Sequence, residues 1–351
     1  MDRVWTDSGE GGFHVADDAI TIEAAGREVR LSSPDKVLFP LSGWRKRDVV
    51  EYYLAVAGPA IVHLRDRPCV LKRYPNGVAE PFFFQKRTPK TYDWLETAIV
   101  TFPSGRHAEE LVIQDAAHLV FACNLGVVDY NPWACRRADL DHPDELRVDL
   151  DPQPGAEWES VRRVALIARD VLDEHGLTGF PKTSGSRGMH INARVRPEHG
   201  FIAVRRAALA LAREVERRAE GLATTRWWKE ERPEGTIFVD YNQNARDRTV
   251  ASAYSIRPTP DARVSCPLTW DEVPAVEPGE LRIDTVPERV RRLGDPAADI
   301  DAHAASLGPL LALADRDEAE GLGDAPWPPN FKKQPGEAPR VQPSRRRKPA
   351  E

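Results

Sequence analysis

Cysteine is scarce in this 351-residue chain and methionine scarcer, at four and two residues. Cys69, Cys123, Cys135 and Cys266 are scattered, and no two form a C-x-x-C pair. That argues against a zinc ribbon and suits free thiols kept reduced in a cytoplasm. No run of about 18 apolar residues occurs, so no membrane span is expected. The opening "MDRVWTDSGEGG" is acidic and polar, unlike a secretory signal. A strong charge of one sign is also missing. The net charge is −6, which argues weakly against nucleic acid. The positive residues are clustered, however, in "RKR" 45–47, "LKR" 71–73, "RR" 136–137, "RWWKEER" 226–232 and "RRRK" 345–348. Local patches, not the total, decide phosphate binding.

The length suffices for one large or two ordinary domains. Residues 1–18 read as a loose leader. Residues 19–31 read as two short strands around Gly26, and 46–64 as a helix broken at Pro59. "RPCVLKRYP", "ELVIQD" and "VVDYN" have strand character, with "AAHLVFACNLG" a helix between the last two. From residue 146 the pattern is strand, helix (157–176), strand–turn–strand, helix (201–220), then strands at "GTIFVDYNQN" and "ASAYSIRP". Residues 278–320 read as mostly helical. This predicts an α+β fold: a mixed sheet of the split βαβ kind over 141–320, packed against an N-terminal α/β module over 19–140. The Pro-rich basic tail, 321–351, reads as disordered or loosely draped.

Three polar stretches carry chemistry. In "LRVDLDP", 146–152, strand alternation puts Leu146, Val148 and Leu150 on one face and Arg147, Asp149 and Asp151 on the other. Two adjacent carboxylates repel, which a divalent cation would relieve. "TSGSRGMHI", 183–191, is a hydroxyl-rich, Gly-rich turn whose N–H groups and Arg187 suit an anion. "IFVDYNQN", 237–244, ends a strand on Asp240. Each alone has an ordinary reading: solvated acids, a hairpin turn, a surface histidine. Together, three acids on two strands could hold two divalent ions for phosphoryl transfer.

The ordered set "PDKVLFP", "LKRYPNG", "FFFQKR", "RVDLDP", "KTSGSRGMHI", "IFVDYNQN" and "ASAYSIR" resembles the polymerase domain of bacterial DNA-repair ligases, in the archaeo-eukaryotic primase superfamily. The likeness runs from about residue 25 to 320. It implies an RRM-like catalytic module and a nucleotidyltransferase filling short gaps at DNA breaks, with a ribonucleotide preference and some priming ability. It implies that Asp149, Asp151 and Asp240 hold two Mn²⁺ or Mg²⁺ ions. Ser184, Arg187 and His190 would contact the incoming NTP or dNTP, with Gln243 and Arg257 on the nucleotide and template side. Lys36 and Lys46 would hold a downstream 5′-phosphate, and Phe83 and Phe84 would stack on bases at the gap. One of Phe82–Phe84 is expected in the core. Implied partners are gapped or broken DNA, a separate ATP-dependent ligase and the bacterial Ku end-binding protein, in the cytoplasm on the nucleoid. Two departures stand out: Asn131 occupies the place of a family histidine, and Arg187 that of a common lysine. With no K-x-D-G motif or phosphoesterase segment, a stand-alone polymerase is expected. Two alternatives stay open. A D-x-D glycosyltransferase would explain the paired acids but not Lys36, Lys46 or the aromatic run. A non-catalytic DNA-end-binding scaffold would fit Asn131 but not three retained acids.

Overall fold

The computed structural model describes residues 18–89 and 91–333. The expected leader, apart from Asp18, lies outside the described residues, as does the tail from residue 334.

Strands β1 (Ala19–Ala24) and β2 (Arg27–Ser32) form the expected hairpin around Gly26. β3 (Val37–Phe39) and β4 (Trp44–Arg45) form a second. Helices α1 (Lys46–Ala55) and α2 (Ala57–Leu64) follow. The break falls at Val56, not at Pro59. A proline ring clashes with the carbonyl four residues back, so the helix must restart upstream, leaving Pro59 in the first turn of α2. β5 (Pro68–Arg73), β6 (Phe83–Gln85), β7 (Thr97–Thr101) and β8 (His107–Val112) make one sheet in the order β6-β5-β8-β7. α3 (Ala116–Asn124) is capped by the Asp115 carboxylate, which accepts from Ala117 N and His118 N. β9 (Val127–Pro132) then pairs with β5.

The second sheet carries the site. β10 (Glu145–Pro152), α4 (Trp158–Glu174), β11 (Phe180–Thr183), β12 (Met189–Arg194), α5 (Phe201–Arg218), β13 (Ala223–Thr224) and β14 (Ile237–Val239) follow in chain order. The sheet order is β11-β12-β10-β14-β13, antiparallel except for β13 with β14. Without the short β13, that is the split βαβ arrangement the sequence predicts. In α4, Val161, Val164, Ala165, Ala168, Val171 and Leu172 recur at helical spacing and are buried. They cover the face of β10 that bears Leu146, Val148 and Leu150, leaving Asp149 on the opposite face. α6 (Val286–Leu293) and α7 (Gly308–Ala319) are the last two α-helices among the described residues, and α7 packs on α5.

One apolar core runs from Val29 and Leu31 through Val148 and Leu150 to Leu310. The two sheets therefore share a core, and the change near residue 140 is a change of sheet. Three expectations need correction. "ASAYSIRP" is not a strand: Tyr254 has φ +63°, and only Ile256 forms a bridge, with Val264. Its backbone is satisfied otherwise, by Ser252 N to Tyr130 O (2.8 Å) and Ile256 N to the Tyr53 hydroxyl (3.0 Å). "GTIFVDYNQN" is strand only to Val239, because the Asp240 carboxylate accepts from Asn242 N and starts a 3₁₀ turn. Residues 324–327, expected in a loosely draped tail, are fixed by Arg205. Its guanidinium lies 4.1 Å from the Trp327 ring centre and donates to Asp324 (2.7 Å) and Ala325 O (2.9 Å). Trp327 is 2% exposed. No helix among the described residues is long and apolar enough to cross a membrane.

Candidate active site

Cross-strand register builds this site. Lys182 on β11 pairs with His190 on β12, and His190 pairs with Asp149 on β10. Cross-strand partners share a face, so the three side chains form one row. Asp240 extends it past β14, its N–H donating to Asp149 O at 2.8 Å. Asp151 lies two residues along β10. Asp149, Asp151 and Asp240 each offer an oxygen within 4.8 Å of the others. Asp149 is buried, Asp240 intermediate and Asp151 exposed.

Three carboxylates this close raise one another's pKa. Burial, then the charges of Asp149 and Asp151, pushes Asp240 up to about 7. Asp149 is raised chiefly by burial, and Asp151 chiefly by the Asp149 charge. The all-oxygen set and its uncompensated charge fit a hard divalent cation. The linkage sign follows. A carboxyl with a raised folded pKa stabilises the fold below its unfolded pKa, and that stability is lost as pH rises through the folded value. Against the opposing effect of His190 and Lys182, whose pKa values burial lowers, the triad is therefore expected to make metal-free protein melt at progressively lower temperature as pH climbs from near 4 through about 7. Glu110, buried and pushed up to about 7, acts in the same direction, so the comparison must be internal. The triple Asn variant at 149, 151 and 240 should show a flatter thermal-shift profile, and Mn²⁺ should raise the melting temperature of the unsubstituted protein alone. Equal slopes would remove the triad from the pH dependence.

The turn between β11 and β12 faces the acids. Ser184 Oγ accepts from Ser186 N and Gly188 N, both at 3.1 Å, which closes the turn on itself. Gly185 has φ +67°, and a Cβ there would lie 2.4 Å from Arg257 Cγ. Arg187 is exposed at the mouth of a cavity of about 280 Å³. Asp151, Ser184, Arg187, Lys229 and Arg232 are among the residues lining it. Gln243 Nε2 donates to Asp240 Oδ2 at 3.1 Å. Arg257 Nε lies 3.9 Å from the buried Asp129 carboxylate. Asn131 donates to Asp129 O at 3.4 Å and adds no charge.

The DNA-side expectations divide. Phe83 and Phe84 are 46% and 57% exposed, and Phe82 is exposed too, so none of the three is core. β6 is an edge strand, and Lys72 lies 4.2 Å from the Phe82 ring centre while Arg73 lies 5.1 Å from that of Phe83. Lys36 is exposed. Lys46 is not: its ammonium is buried against Ser32 O (2.8 Å) and Asn124 Oδ1 (3.0 Å). Burial lowers its pKa to about 8. It therefore stands behind Lys36 as an inner charge and reaches no surface phosphate in this arrangement.

Sequence reasoning missed Lys182, Lys229, Arg232 and Asp129. Lys229 and Arg232 sat in a basic cluster with no assigned role. Lys182 was legible only through register: it lies two residues before Ser184, on the face that His190 shares.

Three acids at adjacent strand ends, beside a basic hydroxyl-lined turn on a split βαβ sheet, define a site for metal-dependent nucleotidyl transfer. The chain belongs to the LigD primase-polymerase domain family, whose profile matches residues 45–297. That domain is a DNA-directed nucleotidyltransferase and depends on metal. The multifunctional non-homologous end joining protein LigD of Mycolicibacterium smegmatis is 33% identical over 279 residues, 79% of this chain and 36% of that protein. The bifunctional LigD of Bacillus subtilis is 29% identical over 276 residues, 78% of this chain and 44% of that one. The chain thus spans less than half the length of these relatives. The polymerase domain of Mycobacterium tuberculosis Ligase D, solved in complex with DNA, matches with a TM-score of 0.73 and 32% identity, over 79% of this chain and 99% of that one.

Proposed function

We propose that this chain extends a DNA 3′-hydroxyl by templated nucleotide addition, filling short gaps at broken ends, with ribonucleotides preferred. The observation that supports this most is the convergence of Asp149, Asp151 and Asp240 within 4.8 Å beside the Ser184–Gly188 turn. These acids would hold two Mg²⁺ or Mn²⁺ ions, whose chemistry is to favour the attacking alkoxide and neutralise the leaving pyrophosphate.

The chain's own residues do the rest. The incoming triphosphate fits the cavity of about 280 Å³, where Arg187, Lys229 and Arg232 supply charge. The 3′-hydroxyl attacks the α-phosphorus, and the bond to pyrophosphate breaks. Gln243 holds Asp240 Oδ2, which fixes that carboxylate while the substrate is bound. Arg257 packs over Gly185, where a side chain would push it away, and from there it would add its charge to the nucleotide side of the turn. Exposed Phe83 and Phe84 offer stacking surfaces that accept any base, worth roughly 1–3 kcal/mol each. Gapped or broken DNA is the expected substrate, with a separate ATP-dependent ligase and Ku as working partners.

The direct test is Mn²⁺ titration followed by calorimetry. Two ions per chain, reduced in the Asp149→Asn and Asp240→Asn variants, support the reading. Stoichiometry unaffected by either substitution would contradict it. A second expectation concerns Lys36. Replacing it with Ala should erase the advantage of a 5′-phosphate over a 5′-hydroxyl at the gap and reduce the salt slope of binding by about one. Binding isotherms at several salt concentrations check this, and an unchanged phosphate preference would take Lys36 out of the site.

A further inference from the structure

Lys182 lies at one end of the row that runs through His190 to Asp149, and the nucleotidyl transfer proposed for the site does not use it. Its buried Nζ has three neighbours: His190 Nδ1 at 2.6 Å, Ser265 Oγ at 2.7 Å and Ala251 O at 2.8 Å. Counting protons decides which way each bond runs. Ala251 O can only accept. Ser265 Oγ gives its own proton to Thr183 O at 2.8 Å, so it too accepts from Lys182. An ammonium has three protons, and the third goes to His190 Nδ1. The remaining imidazole proton then sits on Nε2, which lies 3.3 Å from Asp149 Oδ1. A donor faces a carboxylate.

The opposite arrangement fails. A neutral amine has two protons, both taken by Ala251 O and Ser265 Oγ. Its lone pair would accept from His190 Nδ1–H, leaving the bare Nε2 against the Asp149 carboxylate, acceptor against acceptor. Burial, aided by the Arg257 charge, lowers the Lys182 pKa well below the ordinary lysine value despite the Asp149 and Glu145 charges, so the ammonium rests on its three acceptors.

We propose that Lys182 is a positioning residue that locks His190 in the Nε2–H tautomer, so that a donor always faces Asp149 and the phosphate side of the site. With one Asp149 oxygen held by that donor, its other oxygen would be left for a cation. The catalytic consequence rests on the polymerase reading, but the tautomer does not.

The test uses the full chain with histidine-selective ¹⁵N labelling, at a pH above the ordinary histidine range. Long-range ¹H–¹⁵N correlation reports which ring nitrogen carries the proton, and His190→Gln identifies the resonance. Pyridine-type Nδ1 and pyrrole-type Nε2 in the unsubstituted protein support the lock. The reverse pattern overturns it, without need of any Lys182 variant. In Lys182→Met, which keeps the stem and loses the donor, only the Asp149 contact still favours Nε2–H, so the Nδ1–H form should appear beside it as a second population. A spectrum unchanged from the parent overturns the lock. Lys182→Gln, whose amide can still donate to Nδ1, should restore the Nε2–H form in part.

Incorporation supplies the second readout. Lys182→Met is expected to lower kcat by roughly 10–100-fold, the size seen when an orienting partner of a metal-site residue is lost, with DNA affinity unchanged and part of the rate recovered in Lys182→Gln. Full activity in Lys182→Met overturns the positioning role. If the tautomers behave as expected but the parent chain incorporates no nucleotide, the polymerase reading falls and the lock stands.

Discussion

Asp149→Asn and Asp240→Asn are each expected to lower nucleotide incorporation by roughly 10²–10³-fold or more while gapped-DNA binding holds or tightens. The two effects separate because the acids sit at the reacting centre. They add negative charge where a polyanion approaches, so removing one lessens repulsion for DNA even as it removes a cation ligand. The metal-free fold should also gain, since burial and mutual repulsion raise all three pKa values. A variant that melts higher and binds DNA as well, yet turns over far more slowly, has lost chemistry alone. Primer extension beside fluorescence anisotropy and thermal melting checks the set. Parallel loss of binding and activity would make these residues structural.

Gly188→Ala is the second large expectation, and its cause is steric. A Cβ at residue 188 would lie 2.2 Å from Leu150 O. That obstacle is backbone, and it belongs to the residue between Asp149 and Asp151. Either the turn or β10 must move, and both carry the site. Overpacking of this kind costs about 1–3 kcal/mol, and the displacement should remove nearly all incorporation besides. Gly176→Ala is the matched control. Gly176 also has a positive φ, +73°, but nothing lies within 4 Å of the added Cβ. It should cost about 1 kcal/mol of stability and leave the rate alone. Denaturant unfolding and single-turnover rates distinguish the pair. Equal activity in both variants would mean that the turn's approach to β10 is unimportant to the site.

Much of this arrangement is legible in local patterning. Alternation in "LRVDLDP" places Asp149 opposite the core, and helical spacing in α4 and α5 defines the layer that covers the sheet. The seven ordered stretches carry the family, which the match over residues 45–297 bears out. What stays hidden depends on distant partners. "ASAYSIRP" has strand composition, yet its backbone bonds are divided between residues 263–265 and the distant Tyr130, Tyr53 and Lys182, so no ladder forms. Lys46 resembles a surface lysine until Ser32 and Asn124 close around it. The aromatic run hides the reverse fact, because an edge strand leaves Phe82, Phe83 and Phe84 outside the core where composition alone suggests at least one within. Residues 321–333 have the composition of a tail, but Arg205 holds Trp327 and Asp324 against α5.

The most direct test of the central claim is primer extension on a short-gapped duplex, with the downstream 5′ end phosphorylated or not, with rNTPs or dNTPs, and with Mn²⁺ or Mg²⁺. An Asp149→Asn/Asp151→Asn chain serves as the control. The account predicts metal-dependent, template-directed incorporation, stimulated by the 5′-phosphate, favouring rNTPs and lost in the control. Absence of incorporation with either metal, or equal incorporation by the control, would contradict it.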